Sequence, residues 1–473
     1  MSSNFSLNIG LFAQAHQASR RLTVFRHFLT DPIFQNFIRL LDLAGAASPD
    51  AGELTDLYHY LVGQLATASE SACPPIVGDA WQNYLLDLIL DAENPFTRQA
   101  ELGPNVKGSL LEAARNDLQC LEQLFRLDTR MVRQTIAEIV NFLPSPTDRQ
   151  APVSPVSEWP LWDNFYNQAR NSLVIPNSRE RWQIKQLLFR TIDWRTCLDD
   201  LISYYTAGGV GLFGRYRAFR WVRHNSQSEF QPVPEPDPVR LDDLIGYEAE
   251  KNEIRRNTEK LLRGYPANNI LLYGDRGTGK SSTVKALVNE YGDQGLRLIE
   301  VPKQYLTDFP VIIQHLRRRP QCFILFVDDL SFEEHEVEYK DLKAILEGGL
   351  ESRPSNVLIY ATSNRRHLIK ERLSDRQITA ELGADDEVRR NDTVQEKLSL
   401  ADRFGMTIIF PSPDQDRYLA IVEGLAKQRG LRISRDDLRR RALQWEVWHN
   451  GRSGRTARQF IDHLTGELAL DVY

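Results

Sequence analysis

The sequence predicts a multidomain protein in which an all-α N-terminal module precedes an α/β domain. Apolar residues recur at helical spacing through roughly the first 140 residues, and after residue 240 short apolar runs alternate with stretches of helical length. That alternation is typical of a parallel sheet with helices on both faces. A chain of 473 residues is long enough to bury a separate core in each domain.

Two proline-rich stretches, 144–160 and 225–240, separate the parts of the chain in which helices and strands are expected. The apolar stripe from Leu111 to Phe125 steps by three and four residues, which places it on one helix face. The strands of the α/β domain are expected at five short apolar runs: Asn269–Tyr273, Leu296–Val301, Phe323–Val327, Val357–Ala361 and Thr407–Phe410. We predict the following organisation before that domain: a helical module over 1–143, a linker over 144–160, a helical extension with a basic and aromatic connector over 161–224, and a second linker over 225–240.

Composition excludes several classes of protein. The charged and hydrophobic fractions are ordinary for a globular chain, which excludes wholesale disorder and a fibrous protein. A net charge of -6 gives no chain-wide surface for polyanions, and four scattered cysteines form neither a disulfide framework nor a CxxC metal site. The first residues lack the pattern of a signal peptide, and no apolar run reaches the length of a membrane span. We therefore expect a cytoplasmic protein with no membrane span.

The strongest motif is GxxxxGK[ST], which stands between a predicted strand and a predicted helix over Ser282–Tyr291. Its glycines allow backbone N–H groups to face phosphate oxygens at a helix N-terminus, where the helix dipole favours anions. Lys280 is expected to contact the β- and γ-phosphates, and the Ser281 hydroxyl to bind Mg²⁺. The predicted nucleotide-binding residues of this P-loop, or Walker A motif, are Gly274, Asp275, Arg276, Gly277, Thr278, Gly279, Lys280, Ser281 and Ser282.

A second motif is a buried apolar strand that ends in two acids, Asp328 and Asp329. Buried carboxylates are costly unless a metal or a hydrogen-bond donor meets them. Beside a P-loop, Asp328 can hold Mg²⁺ through water and Asp329 can orient or deprotonate the attacking water, so we predict ATP and Mg²⁺ as cofactors. The alternative is that the acids cap the next helix.

Four further segments narrow the family. A strand ends in Thr-Ser-Asn364, Leu398-Ser-Leu-Ala-Asp-Arg403 precedes the fifth strand, Gly451-Arg-Ser-Gly-Arg455 opens a helix, and Leu241-Asp-Asp-Leu-Ile-Gly246-Tyr247 precedes the P-loop. Together with the P-loop (Walker A) and the strand that ends in Asp328 and Asp329 (Walker B), this set resembles the AAA+ ATPase superfamily. The segments VDDLSFEE, ATSNRRHLI and EKLSLADRFG resemble the bacterial branch of this superfamily that is catalogued as domain of unknown function 815. The resemblance covers about residues 208–473.

The resemblance implies an AAA+ nucleotide-binding domain over 241–411 and a small helical lid over 412–473. It implies the following roles: Asn364 as sensor 1 beside the γ-phosphate, Arg403 as an arginine finger reaching a neighbour's site, Arg455 as sensor 2, and Gly246 and Tyr247 in the adenine pocket. A finger acting between subunits implies a homo-oligomer. The subunits would form a ring or a spiral, for which a hexamer is one candidate. Two alternatives stay open: a surface salt bridge of Arg403 with Asp402, and Arg452 or Arg458 in place of Arg455.

The sequence departs from the family pattern at two places. Asp329 stands where the superfamily usually has glutamate, which predicts slow hydrolysis unless Glu333 or Glu334 serves instead. The segment from Pro302 lacks the aromatic-hydrophobic-glycine pore loop of threading unfoldases, which disfavours threading.

Three groups of basic or aromatic residues have two interpretations each. The segment Gly208–Arg223 can contact nucleic acid, but a structured connector whose arginines pair with acids is favoured. The arginine triplets Arg317–Arg319 and Arg439–Arg441 fit a solvated helix face better than a phosphate contact. The pair Trp445 and Trp448 fits the core of the lid better than a stacking platform.

These observations favour an ATPase that remodels a protein partner recruited by its N-terminal helices. One alternative is a nucleic-acid-associated switch of the initiator or helicase-loader type, favoured by the missing pore loop and the basic connector. The other is a non-hydrolysing, ATP-dependent scaffold, which only Asp329 favours. Nucleic acid is thus a possible partner that the sequence does not favour.

Overall fold

The computed structural model of the chain describes residues 3–46, 48–70, 76–142, 159–163, 165, 178–224, 227–331, 342, 346, 354–364, 403–449 and 451–470. The chain divides into two compact units, Met1–Arg215 and Tyr216–Tyr473. Within the described ranges, no helix combines the length and apolar character needed to cross a bilayer.

The first unit is helical, as predicted. Its α-helices are α1 (Ser3–Arg20), α2 (Pro32–Ala44), α3 (Ala51–Glu70), α4 (Ala80–Leu90), α5 (Pro95–Glu101), α6 (Ser109–Phe125), α7 (Thr129–Phe142), α8 (Ser178–Arg190), α9 (Leu198–Gly208) and α10 (Gly211–Arg215). Their apolar faces form one core that contains large aromatic side chains, among them Trp81, which stacks on Phe37 with 3.7 Å between ring centroids. Stripes at helical spacing therefore pack as the periodicity indicates.

Asp79 fixes the start of α4 and ties it to α7. Its carboxylate accepts the N–H of Gln82 at 2.8 Å, completing a capping box, and the N–H of Thr129 at 2.7 Å. Burial raises the pKa of this carboxyl to about 6 although both backbone donors oppose the shift. Asp79 is thus a structural acid whose charge is disfavoured by its surroundings.

A buried ionic cluster joins α8 to α4. Lys185 and Arg181 are almost fully buried, and both pair with Asp87, the Lys185 Nζ at 2.7 Å. Arg181 also pairs with Asp91 at 2.7 Å, and Lys185 donates to the Asn83 side chain at 2.9 Å. Because each charge meets an opposite charge, the cluster avoids the cost of a lone buried ion.

The second unit contains a seven-stranded sheet, flanked by helices, and a group of C-terminal helices. The strands are β1 (Ala218–His224), β2 (Gln227–Val233), β3 (Ile270–Gly274), β4 (Leu296–Glu300), β5 (Cys322–Val327), β6 (Val357–Ser363) and β7 (Met406–Phe410). Their order is β2-β1-β4-β5-β6-β3-β7, and every neighbouring pair is parallel except β1 with β2. All five predicted strands and their parallel arrangement are confirmed.

The predictions for 161–224 and 225–240 were wrong about the residues that form β1 and β2. These residues form an antiparallel hairpin that extends the sheet, so the second unit begins at Tyr216 rather than at 241. Phe219 and Trp221 are buried, and Trp221 packs against Phe230 across the hairpin. Pro232 is compatible with a strand because β2 lies at the edge of the sheet. On its outer side an edge strand has no neighbouring strand, so no backbone N–H donor is needed there.

The α-helices described in full in the second unit are α11 (Glu248–Leu262), α12 (Lys280–Tyr291), α13 (Phe309–Leu316), α14 (Gln415–Gln428), α15 (Arg435–Trp448) and α16 (Gly454–Leu470). The last three pack around their own apolar core, in the region predicted to be the lid. Trp445 is partly buried, packs against this core and stacks on His449, but Trp448 is 77% exposed. The prediction of a core position was therefore right for Trp445 and wrong for Trp448.

Candidate nucleotide-binding site

The P-loop connects the carboxyl end of β3 to the first residue of α12. Gly274 has φ +147, and a Cβ there would lie 1.9 Å from the carbonyl oxygen of Phe410 on β7. Gly279, just before α12, adopts φ +92. Only glycine fits the first position without a clash, and glycine adopts the second conformation at least cost. The loop consequently brings the N-terminus of α12 to the edge of the sheet, as the motif predicts.

Lys280 is bound to backbone and side-chain oxygens inside the cleft. Its Nζ donates to the carbonyl oxygens of Gly274 and Asp275, each at 2.7 Å, and to Oδ1 of Asn364 at 3.1 Å. Only 5% of the residue is exposed, and burial lowers the pKa of its ammonium. A phosphate in this cleft would compete with those carbonyls for the lysine.

Ser281 and Asp328 lie together between the P-loop and the end of β5. The Ser281 hydroxyl donates to Oδ1 of Asp328 at 2.6 Å, and the Thr362 hydroxyl donates to the same oxygen at 2.6 Å. The two predicted metal-binding residues are therefore neighbours. Thr362 was absent from the predicted site, because in the segment Thr-Ser-Asn364 only Asn364 was assigned a role.

Asp329 adopts a left-handed backbone conformation with φ +51, which is uncommon outside glycine. Its N–H donates to the Thr362 hydroxyl at 2.9 Å, and its carboxylate accepts from Nδ2 of Asn364 at 2.6 Å. Since Asn364 also accepts from Lys280, the amide links the lysine to the second acid. The structure thus joins the ends of β3, β5 and β6 through a continuous hydrogen-bond network.

The residues predicted for the adenine pocket lie at the other end of the cleft. Gly246 and Tyr247 both line it, and Tyr247 adopts a left-handed φ of +59. The Tyr247 hydroxyl donates to the carbonyl of Pro411 at 2.6 Å, and its ring lies against the ring of Phe410 and the guanidinium of Arg417. This tyrosine therefore connects the segment before α11 to the junction between β7 and the lid.

The N-terminus of α16 meets the P-loop directly. The backbone N–H of Arg455 donates to the carbonyl of Gly277 at 3.3 Å, and both Arg455 and Arg458 line the cleft. Arg452 instead pairs with Glu446 at 2.8 Å and also donates to Gln415. Of the three arginines considered for sensor 2, Arg455 and Arg458 are positioned at the cleft.

Together these elements enclose a cleft of about 570 Å³. Within the described part of the chain, Gly274, Asp275 and Arg403 are the predicted site residues that do not line it; Glu333 and Glu334 lie outside the described residues. The cleft also includes residues that the sequence analysis missed: Val239, Asp243, Leu244, Ile245, Lys251, Thr283, Thr362, Phe410, Ile421, Leu425 and Gly454. Ile421 and Leu425 belong to an apolar stripe of α14, whose spacing gives no sign that part of it faces a cleft.

Arg403 lies just before β7, at the opposite edge of the sheet. Met406 pairs with Ile270 at the beginning of β3, whereas the P-loop follows Gly274 at the end of that strand. At about 3.3 Å per residue, the two edges are on the order of 13 Å apart along β3. Arg403 therefore lies near the amino ends of β3 and β7, whereas its own P-loop follows the carboxyl end of β3.

The two arginines of β1, and Arg217 just before that strand, pair with acids of the same unit. Arg217 pairs with Asp293, Arg220 with Glu300 at 3.4 Å, and Arg223 with Asp308 at 2.7 Å. This arrangement matches the favoured interpretation of the basic segment. In the triplet Arg439–Arg441, each arginine likewise has an acidic partner: Glu423, Asp437 and Glu467.

Comparison with known proteins places the second unit in a family. Residues 214–468 match the sequence model of the family described as "Protein of unknown function (DUF815)". A curated relative, the 26S proteasome regulatory subunit 6B homolog of Schizosaccharomyces pombe, is 30% identical over 121 residues. That match covers 23% of this chain and only 31% of the relative's length.

Solved structures of RuvB from Thermotoga maritima are also similar to part of the chain. A mutant RuvB is 17% identical, with a TM-score of 0.34, covering 49% of this chain and 66% of that one. The RuvB Holliday junction branch migration motor is 15% identical, with a TM-score of 0.30, covering 48% and 72% respectively.

Proposed function

The chain belongs to the family described as Protein of unknown function (DUF815), and we propose that it is a Mg²⁺-dependent ATPase of the AAA+ superfamily. The observation that carries this proposal is the network in which Lys280, Ser281 and both acids meet in one cleft beside a helix N-terminus. P-loop ATPases need these groups together, because the phosphates, the metal ion and the attacking water occupy adjacent positions.

The donor chemistry of Ser281 and Asp328 fits Mg²⁺. A hydroxyl and a carboxylate are hard oxygen donors, and Mg²⁺ is usually held by one or two such groups together with water and phosphate oxygens. Ser281 would bind the ion directly and Asp328 through water. Bound Mg²⁺ would supply neutralisation of the charge that develops on the transferred phosphoryl group.

The other polar groups of the cleft have separate roles in ATP binding and in hydrolysis. Lys280 leaves its carbonyl partners for the β- and γ-phosphates, while the N–H groups at the start of α12 hold the phosphate oxygens. Asn364 and Asp329, already joined at 2.6 Å, orient the attacking water, and the Asp329 carboxylate accepts its proton. Arg455 stabilises the phosphate charge from the lid side. The adenine lies at the Gly246 and Tyr247 end of the cleft.

Hydrolysis takes place between subunits of a homo-oligomer in this proposal. Arg403 is not among the described residues lining its own cleft and lies at the other edge of the sheet, which favours a finger that acts on a neighbour's ATP. The N-terminal helical unit recruits a protein partner, and ATP-driven movement of the second unit remodels it. Pairing of the β1 arginines with acids favours a protein over a nucleic acid as that partner.

Nucleotide binding and turnover by Lys280→Ala test the site. Because hydrogen bonds to charged groups contribute about 1.5–3 kcal/mol, the affinity for ATP should fall about 10- to 100-fold and hydrolysis should vanish. Lys285→Ala, on the same helix but not lining the cleft, is the matched control and should bind ATP normally. Equal ATP affinity in Lys280→Ala and the unaltered protein would overturn the assignment.

Mixing two inactive variants tests the contribution of Arg403. Arg403→Ala should bind ATP but lose about 10³-fold or more in turnover, as arginine fingers do. Lys280→Ala keeps its own finger but has no working site. If the finger acts between subunits, mixed oligomers of the two variants should lose less activity than Arg403→Ala alone, because some active sites then receive an intact finger. No gain on mixing, with mixed oligomers demonstrated, would contradict action between subunits.

A trap variant tests the class of partner. Asp329→Asn should bind ATP, hydrolyse it poorly and retain its partner, so it is used to capture that partner from lysate with ATP, with and without nuclease. A protein that survives nuclease and disappears without ATP supports a remodeller. Nuclease-sensitive capture would favour the nucleic-acid-associated switch.

A further inference from the structure

Thr362 lies at the point where the two acids and the P-loop meet. Its strand, β6, runs between β3 and β5, so its carboxyl end separates the loop that holds Lys280 from the strand that ends in the acids. The residue is 1% exposed and lines the cleft. A buried hydroxyl in such a place requires partners, and the acids provide them.

One hydroxyl group serves both acids. The Thr362 Oγ1 donates its proton to Oδ1 of Asp328 at 2.6 Å and accepts the N–H of Asp329 at 2.9 Å. These roles are compatible because a hydroxyl has one proton and two acceptor positions. The carbonyl of Thr362 also accepts the N–H of Leu330 at 2.7 Å. A single residue is thus bonded to three consecutive residues after β5.

The contacts on either side of Asp329 fix a conformation that it would otherwise avoid. A left-handed backbone is strained for a non-glycine residue, and it persists only where surrounding groups determine it. Thr362 holds the N–H of Asp329 and the N–H of the next residue. In this conformation the Asp329 carboxylate reaches Asn364.

The same hydroxyl restricts the rotation of the Asp328 carboxylate. The hydrogen bonds that Asp328 accepts within the described part of the chain come from Ser281, Thr362 and Asp329, and all fall on Oδ1. Oδ2 is therefore the oxygen available to a water that binds the metal ion. Removing the Thr362 donor would loosen this orientation.

We propose that Thr362 is a positioning residue for the hydrolysis step, which orients Asp328 and Asp329 without touching ATP. This inference rests on the proposed ATPase activity. A side chain that orients only the groups acting on water and metal affects the transition state more than ground-state binding of ATP. Its loss should therefore lower kcat and leave the KM for ATP nearly unchanged.

Three threonine variants test the proposal in the full-length protein. Thr362→Val keeps the shape but lacks the hydroxyl, and should lower kcat about 10- to 100-fold with a less than about twofold change in KM. It should also raise the Mg²⁺ concentration that gives half-maximal turnover. Thr362→Ser restores the hydroxyl and should recover turnover to within about threefold of the unaltered protein. Thr258→Val is the control, because that buried hydroxyl bonds Ile254 and Tyr360 on α11 and β6 away from the cleft.

Each outcome separates this inference from the proposed function. If the unaltered protein has no turnover that depends on Lys280, the proposed ATPase fails and this inference fails with it. If it has such turnover and Thr362→Val matches it, only the role of Thr362 is overturned. If Thr362→Val does not fold, Thr362→Ala is measured instead, and failure of both to fold would make the hydroxyl a requirement of the fold, which also overturns a positioning role.

Discussion

The side-chain amide of Asn364 donates a 2.6 Å hydrogen bond to the carboxylate of Asp329, and its oxygen accepts from Lys280 at 3.1 Å. The first residue of α12 and the residues that follow β5 and β6 are therefore connected through one amide. Because that amide controls where the carboxylate points, its role is accessible to substitution.

Asn364→Ala should lower the kcat for ATP hydrolysis about 10²-fold, since removal of one oriented polar group at a reacting centre has effects of this size. The affinity for ATP should change little, because the P-loop amides and Lys280 remain. Steady-state hydrolysis and equilibrium nucleotide binding give the two quantities. A variant with unchanged kcat would contradict the role of sensor 1 for Asn364.

Asp329→Glu should not produce a faster enzyme, although glutamate is usual at this position in the superfamily. The left-handed backbone favours aspartate and asparagine over longer side chains, so glutamate should cost about 1 kcal/mol of unfolding free energy. It would also displace the bond to Asn364. Asp329→Asn is the matched control, which should keep the stability and lose turnover; a glutamate variant faster than the unaltered protein would refute this prediction.

Arg455→Ala and Arg452→Ala form a matched pair on the lid. Arg455 lines the cleft, whereas the Arg452 side chain pairs with Glu446. Arg455→Ala should therefore weaken ATP binding or hydrolysis about tenfold or more, since it removes a charge beside the phosphates. Arg452→Ala should change activity less than about twofold, so the reverse ranking would transfer the sensor 2 role to Arg452.

Stability should depend on pH through Asp79. Burial raises the pKa of this carboxyl from 3.8 to about 6 in the folded chain, so the folded state binds more protons than the unfolded state between those values. Asp79 should therefore reduce stability as the pH rises through that window, and its cost should persist at higher pH. Asparagine keeps the helix cap but does not titrate.

Relative to the unaltered protein, Asp79→Asn should gain stability as the pH increases from about 4 to about 6, then stay level. Thermal unfolding of both proteins at matched pH values measures this difference, in which other titrating groups cancel. A difference that stays constant from pH 4 to pH 7 would be inconsistent with a raised pKa for Asp79.

Local motifs allowed the sequence to predict the centre of the site. Backbone-phosphate contacts require the glycines and Lys280 at fixed spacing, and Asp328 follows a wholly apolar strand, so both stood out. Thr362 did not, because its role depends on strand order: β6 runs between β3 and β5, which are distant in sequence.

Charged residues concealed other parts of the fold. The basic segment indicated a connector whose arginines pair with acids but gave no sign of the strand β1, and the acids that pair with these arginines lie in a later part of the chain. Lys185 is similar, since its helix has a strongly polar sequence and its partner Asp87 lies about a hundred residues earlier. Pairing of this kind depends on tertiary contacts, which the spacing along one segment does not reveal.

The internal hydrogen bonds of the cleft make nucleotide binding an exchange reaction. Lys280, Ser281 and Asn364 already have oxygen partners, so the enthalpy released by ATP is the difference between two sets of bonds. A ligand that contacts only the P-loop amides leaves the bonds to both acids in place. In the proposed function, one that carries a terminal phosphate would displace them, so the cleft would discriminate between the two ligands by the number of internal bonds it gives up.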